Sequence, residues 1–136
     1  MKMASEQEQR VLVAQLQQLE AEARAYEQQM DVINFTMQEI QRAIEATEAL
    51  SKTDIGKDSL IPIGANSYVY GSIPQATRII IGLGSSVSAE VEVADAVKHL
   101  QERRTKLTEV QGQFAARLNE ISAQMYALQT QLQAAG

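Results

Sequence analysis

The sequence predicts an α+β chain: a long antiparallel two-helix coiled coil whose helices are joined by two β-hairpins. Leu12, Leu16, Leu19, Ala23, Tyr26, Met30, Ile33, Met37, Ile40, Ile44 and Thr47 alternate in steps of four and three, the spacing of a coiled-coil seam. Val97, Leu100, Leu107, Val110, Phe114, Leu118, Ile121, Met125, Leu128 and Leu132 repeat that spacing near the other end. Between the two stripes lies a β-type stretch rich in glycine.

The first helix is predicted over residues 5–52, a span without Gly or Pro, and Ser5 with Glu8 fits a capping box at its start. At about 1.5 Å per residue, such a helix is on the order of 70 Å long, far more than a globular core needs. Asp54, Gly56 and Asp58 break the pattern, and the β region spans 60–93. Its short runs at 60–63, 68–73, 78–83 and 87–93 are separated by turn residues. Gly64-Ala65-Asn66-Ser67 supplies positive φ, Pro74-Gln75-Ala76 stops the second run, and Gly84-Ser85-Ser86 bends the third into the fourth. Two successive β-hairpins follow from this order. Val87, Ala89, Val91 and Val93 alternate with Ser88, Glu90 and Glu92, giving one dry and one wet face, while Ile79-Ile80-Ile81 suggests burial on both. Two lone hairpins cannot hide that surface, so hairpins of other subunits are expected to cover it.

The second helix is predicted over 94–135, with Asp95 in its first turn. Its heptad phase slips between Val110 and Leu118, and Gly112 lies inside the slip, so local unwinding is expected there. The two stripes match in length and neither helix can bury its own, which favours an intramolecular hairpin over a parallel dimer of two chains.

At 136 residues, with two Phe, four Tyr and no Trp, the chain has few of the rings that fill a globular core, and oligomerisation is expected. The net charge of −5 is unevenly placed: residues 2–53 hold nine acids against five bases, residues 93–136 four against five. No block of Lys and Arg is present to neutralise several phosphates, so nucleic acid is not an expected partner. The absence of Cys excludes disulfides and thiolate metal sites. The start, MKMASEQEQR, lacks an apolar signal core, and no run of 18 apolar residues exists, so a soluble, cytoplasmic protein without membrane contact is expected. His99 is the sole histidine and reads as a packed or solvated side chain. Gly56-Lys57-Asp58 lacks the rest of a P-loop, and Gly82-Leu83-Gly84 precedes a strand instead of a helix, so both are turn glycines. Glu20, Glu22, Glu27 and Asp31 read as a solvated helix face. Neither catalysis, a metal nor a cofactor is expected.

GANSYVYG followed by TRIIIGLGSSVSAEVEVADAVKHLQERRTKL resembles the central region of the prefoldin alpha class, also called the archaeal GimC alpha subunit. The features that carry the resemblance are Gly64, Gly71, Ile81-Gly82-Leu83-Gly84, Glu90 and the alanine-rich turn Ala94 to Ala96, together with two hairpins where the beta class has one. The resemblance implies a hexamer of two alpha-class and four beta-class chains, in which the hairpins form a β-barrel platform on oligomerisation and the coiled coils hang from it. It also implies an ATP-independent holdase that captures unfolded proteins at the coiled-coil tips and passes them to a group II chaperonin.

On that reading the client-binding candidates stand where helix one begins and helix two ends: Met1, Met3, Val11, Leu12, Val13, Leu16, Met125, Leu128 and Leu132. Val11 and Val13 lie off the seam and are the stronger candidates, since the leucines and Met125 lie on it. The assembly candidates are Val69, Ile79, Ile80, Ile81, Val87 and Val91. The competing reading of the same sequence is a structural coiled-coil adaptor that joins two defined partners.

Overall fold

A computed structural model describes residues 6–50, 55–75 and 77–135. Helix α1 is Glu6–Leu50; strands β1 (Asp58–Gly64), β2 (Ser67–Ser72), β3 (Arg78–Gly84) and β4 (Val87–Glu92) follow; helix α2 is Val93–Ala135. Ser5, the expected cap, lies outside the described residues. Val93, assigned from sequence to the last strand, is instead the first residue of α2. Its N–H still donates to the Thr77 carbonyl at 3.0 Å, so the β-ladder runs directly into the helix.

The chain divides into two compact units, one of α1 up to Met37 with α2 from Lys106 onward, the other spanning Gln38–Thr105. In the first unit, every seam position of α1 from Leu12 to Met37 is buried or half-buried, as are Leu107, Val110, Phe114, Leu118, Met125, Leu128 and Leu132. Ile121 is the most enclosed large side chain, 1% exposed. The Tyr26 and Phe114 rings meet edge to face with centroids 5.0 Å apart, a geometry that aromatic quadrupoles favour. In the second unit, Ile40, Ile44, Thr47, Ala96 and Leu100 are buried. Thr47 Oγ1 donates to the Ala43 carbonyl at 2.6 Å, which satisfies the one hydroxyl in that seam.

The phase slip expected in α2 is not a slip. Leu107, Gln111, Phe114 and Leu118 keep the steps of four, three and four, and α2 continues through an exposed Gly112 without interruption. Gln111 and Arg104 occupy seam positions that an apolar pattern skips. Each meets a polar side chain on α1: Gln111 Nε2 donates to Asn34 Oδ1 at 2.6 Å, and an Arg104 guanidinium N–H donates to Gln41 Oε1. Asn34 and Gln41 directly follow the buried Ile33 and Ile40. Both pairs satisfy a half-buried polar side chain of α2 at a seam position.

The hairpins share one turn design. Pro62 faces Tyr68 and Gly64 faces Ser67, leaving Ile63 as an extra residue; Gly82 faces Ser88 and Gly84 faces Val87, leaving Leu83 extra. Gly64 and Gly84 have φ of 107° and 95°, and the two residues after each are left-handed as well: Ala65 and Asn66 at 51° and 57°, Ser85 and Ser86 at 50° and 64°. Two left-handed residues in sequence twist the backbone as antiparallel strands require. Between the hairpins, Gln75 Oε1 accepts from the N–H groups of Thr77 and Arg78 at 2.9 and 3.0 Å, closing the turn expected around Pro74. Each hairpin forms its own two-stranded sheet.

Ile121→Ala should lower stability by about 2–5 kcal/mol, because the side chain is almost wholly enclosed and its removal leaves a cavity that the helix backbones can only partly close. A denaturant melt followed by helical circular dichroism measures it.

Candidate functional site

Where α1 begins and α2 ends, the seam is only partly enclosed, as it is along most of the first unit. Leu12, Leu16, Met125, Leu128 and Leu132 are each only half-buried, and Val11 and Val13 are 52% and 42% exposed. Met1 and Met3 lie outside the described residues. The two valines point into different grooves. Val11 borders one of about 490 Å³ with Leu12, Gln15 and Gln131; Val13 borders another of about 510 Å³ with Arg10, Ala14 and Gln17. A third groove, of about 430 Å³, runs between the helices past Leu19, Ala127 and Leu128. All are wide, shallow and lined by glutamines beside apolar side chains. Such surfaces suit irregular apolar segments and lack the enclosure that a small-molecule site needs.

This end is fastened by Arg117. Its Nε and Nη2 donate to Glu22 Oε1 at 2.9 and 2.7 Å, and Nη1 donates to Glu120 at 3.1 Å. The hydrogen bonds to Glu22 and then Glu120 raise the guanidinium pKa above its ordinary value. A raised base contributes its stabilisation below its unfolded-state pKa and loses it only as pH climbs through the folded value, so this tie persists throughout the neutral range. Sequence reading placed Glu22 on a solvated face; it is in fact the α1 half of a cross-helix ion pair.

The assembly candidates lie on the hairpins and divide by face. Ile79 pairs with Val91 and Ile81 with Ala89, and these four are half-buried on one side. Ile80 pairs with Glu90 on the other side, where Arg78 also lies 3.8 Å from the Glu90 carboxylate. Within the single chain Ile80 is 73% exposed, so the burial expected on its face is left to other subunits. Val69 and Val87 are exposed as well. Sequence reading missed most of the apolar surface on the first hairpin, which exposes Leu60 and Tyr70 on one face and Ile61 and Val69 on the other. The signal was available, since residues 59–75 contain no charged side chain. Gly71 belongs to the same surface: a Cβ there would strike Ile61 Cδ1, so its absence lets Ile61 lie across β2.

Among the described residues no cluster of His, Asp and Glu could hold a metal, and no helix is long and apolar enough to cross a membrane. Paired helices, together with hairpins too apolar to stand alone, define a coiled-coil subunit of a larger assembly. The family model described as Prefoldin subunit matches residues 6–136. The chain belongs to the prefoldin family, a family of oligomeric chaperones. Its curated relatives include the alpha subunit of prefoldin from Methanothrix thermoacetophila, 34% identical over 76% of this chain and 68% of that one. The alpha subunit from Methanosarcina mazei is 30% identical over 90% and 88% of the two chains, and that from Nitrosopumilus maritimus 30% over 97% and 95%. The fold is also that of a filamentous prefoldin from Methanocaldococcus jannaschii solved by cryo-electron microscopy, with a TM-score of 0.66 and 21% identity over 89% of this chain and 94% of that one.

Arg117→Ala should destabilise the helix pair measurably at low salt, as expected for a partly exposed ion pair in which two guanidinium donors share one carboxylate oxygen. Thermal melts at low and high ionic strength should show the loss shrinking as salt screens the pair.

Proposed function

We propose that the chain is the alpha-class subunit of a holdase that captures unfolded proteins without ATP and delivers them to a group II chaperonin in the cytoplasm. The observation that carries this reading is the exposure of Val11 and Val13 beside a seam that is only half-buried at the same end. Here two valines flank leucines and a methionine that small opening motions can uncover, and Met125 can adjust to irregular partners. Each contact is weak, but several arms on one platform turn later contacts into intramolecular ones, so retention comes from avidity.

Two alpha-class and four beta-class chains are the proposed composition, with Val69, Ile79, Ile80, Ile81, Val87 and Val91 contributing to the platform. Leu60, Ile61, Ile63, Tyr68, Tyr70 and Leu83 join them on the ground of their exposure. A rigid adaptor between two folded partners would instead call for a defined, closed end.

Removing residues 1–14 and 125–136 should leave the native mass of the complex per arm-shortened subunit unchanged in stoichiometry while abolishing suppression of aggregation of unrelated unfolded proteins. Retained suppression sinks the tip assignment, and selection of a single folded target supports the adaptor. Ile80→Asp should release the subunit from the platform without unfolding it, because the side chain is already exposed in the single chain; sedimentation at full size with normal helix content would contradict its place in the interface.

A further inference from the structure

The side of α1 turned away from its seam carries a second heptad stripe. From Val11 to Phe35 it steps by three and four, every member is exposed, and none is charged. The stripe stops where the same spacing reaches Glu39 and Arg42. Its large members are Val11 at one end and Val32 and Phe35 at the other, the last two 65% and 60% exposed; Ala21 and Ala25 lie at the middle and Ala14 near the start. α2 has no equivalent: the positions opposite its seam include Glu102, Lys106, Glu109 and Glu120.

We propose that this face of α1 pairs antiparallel with the same face of a second copy of the chain, about a two-fold axis near residue 23. The stripe is complementary to its own reverse. Turned end for end, Val11 meets Phe35, Ala14 meets Val32, Gln18 meets Gln28 and Ala21 meets Ala25. Large side chains thus fall opposite smaller ones, the two amides can exchange hydrogen bonds, and the alanines allow close approach at the axis. This is the layer pattern of an antiparallel coiled coil and the self-matching required of an isologous interface. Parallel pairing would stack Phe35 on Phe35 and Val32 on Val32 while setting Ala14 against Ala14, so large and small layers would not even out. The charges that flank the axis are already paired within each copy: Arg24 lies 3.8 Å from Glu20, and Glu22 is held by Arg117 at 2.7 Å. Pairing covers Val11, so a paired copy and a copy that holds a client at Val11 are alternative states; the spacing sustained over three heptads matches another helix.

The chain has no cysteine, so Val11→Cys and Phe35→Cys each introduce a sole thiol. In the full-length protein treated with a short bismaleimide, a mixture of the two variants should give covalent dimer about tenfold above either variant alone, because an isologous pairing brings residue 11 to residue 35 and keeps like positions about 36 Å apart. Ala21→Arg with Ala25→Arg, added to both thiol variants, should return the yield to background with helix content unchanged. Self-linking of Val11→Cys, which signals parallel arms, would overturn the proposal. So would an equal yield in the arginine variants, the absence of any cross-link, or protection of the Phe35→Cys thiol only when an unfolded protein is added.

Discussion

The two helices are held to each other by a seam in which neither stripe has any other place to go. Read forward from Leu12 in α1 and backward from Leu132 in α2, the buried and half-buried positions follow the same alternation of fours and threes. That mirror relation is what an antiparallel pairing demands, and it makes each apolar layer meet another. Apolar layers alone are forgiving, because a shift by one heptad still buries leucine against leucine. Gln111 with Asn34 and Arg104 with Gln41 add hydrogen bonds across the helix pair in the register observed.

The hairpins impose the opposite condition. Their turns are locally complete: the left-handed pairs Ala65-Asn66 and Ser85-Ser86 direct the strands, and Gln75 closes the link between the hairpins. Their faces are not. The first hairpin is apolar on both sides, and two strands cannot bury both. The second separates Ile79, Ile81 and Val91 from a face that carries Arg78, Glu90 and the exposed Ile80. A chain that folds its turns so definitely and leaves such faces open is built to be completed by other subunits, in keeping with an oligomeric family.

Much of this was legible in the residue order because helical and strand periodicities are local properties. The seam of α1 could be read position by position, and both turns followed from Gly64 and Gly84. The failures share a cause. Gln111 and Arg104 break an apolar pattern and become seam residues only when an amide stands opposite, so the sequence suggested a slip at Gly112 where the helix is continuous. Glu22 looked like part of a wet face until Arg117, 95 positions away, came within hydrogen-bond distance.

The candidate tip residues divide in the same way. Val11 and Val13 were recognisable from sequence because they fall between seam positions, and the structure exposes both. How far the leucines beside them are covered depends on the end of a helix more than a hundred residues away. By itself, then, the sequence determined the helices, the strands, the turns and which stripe each helix must bury, because those depend on spacing within a few residues. Only the tertiary structure decided which polar side chains close the seam and which apolar ones remain uncovered, because burial is a property of what lies opposite and not of what lies adjacent.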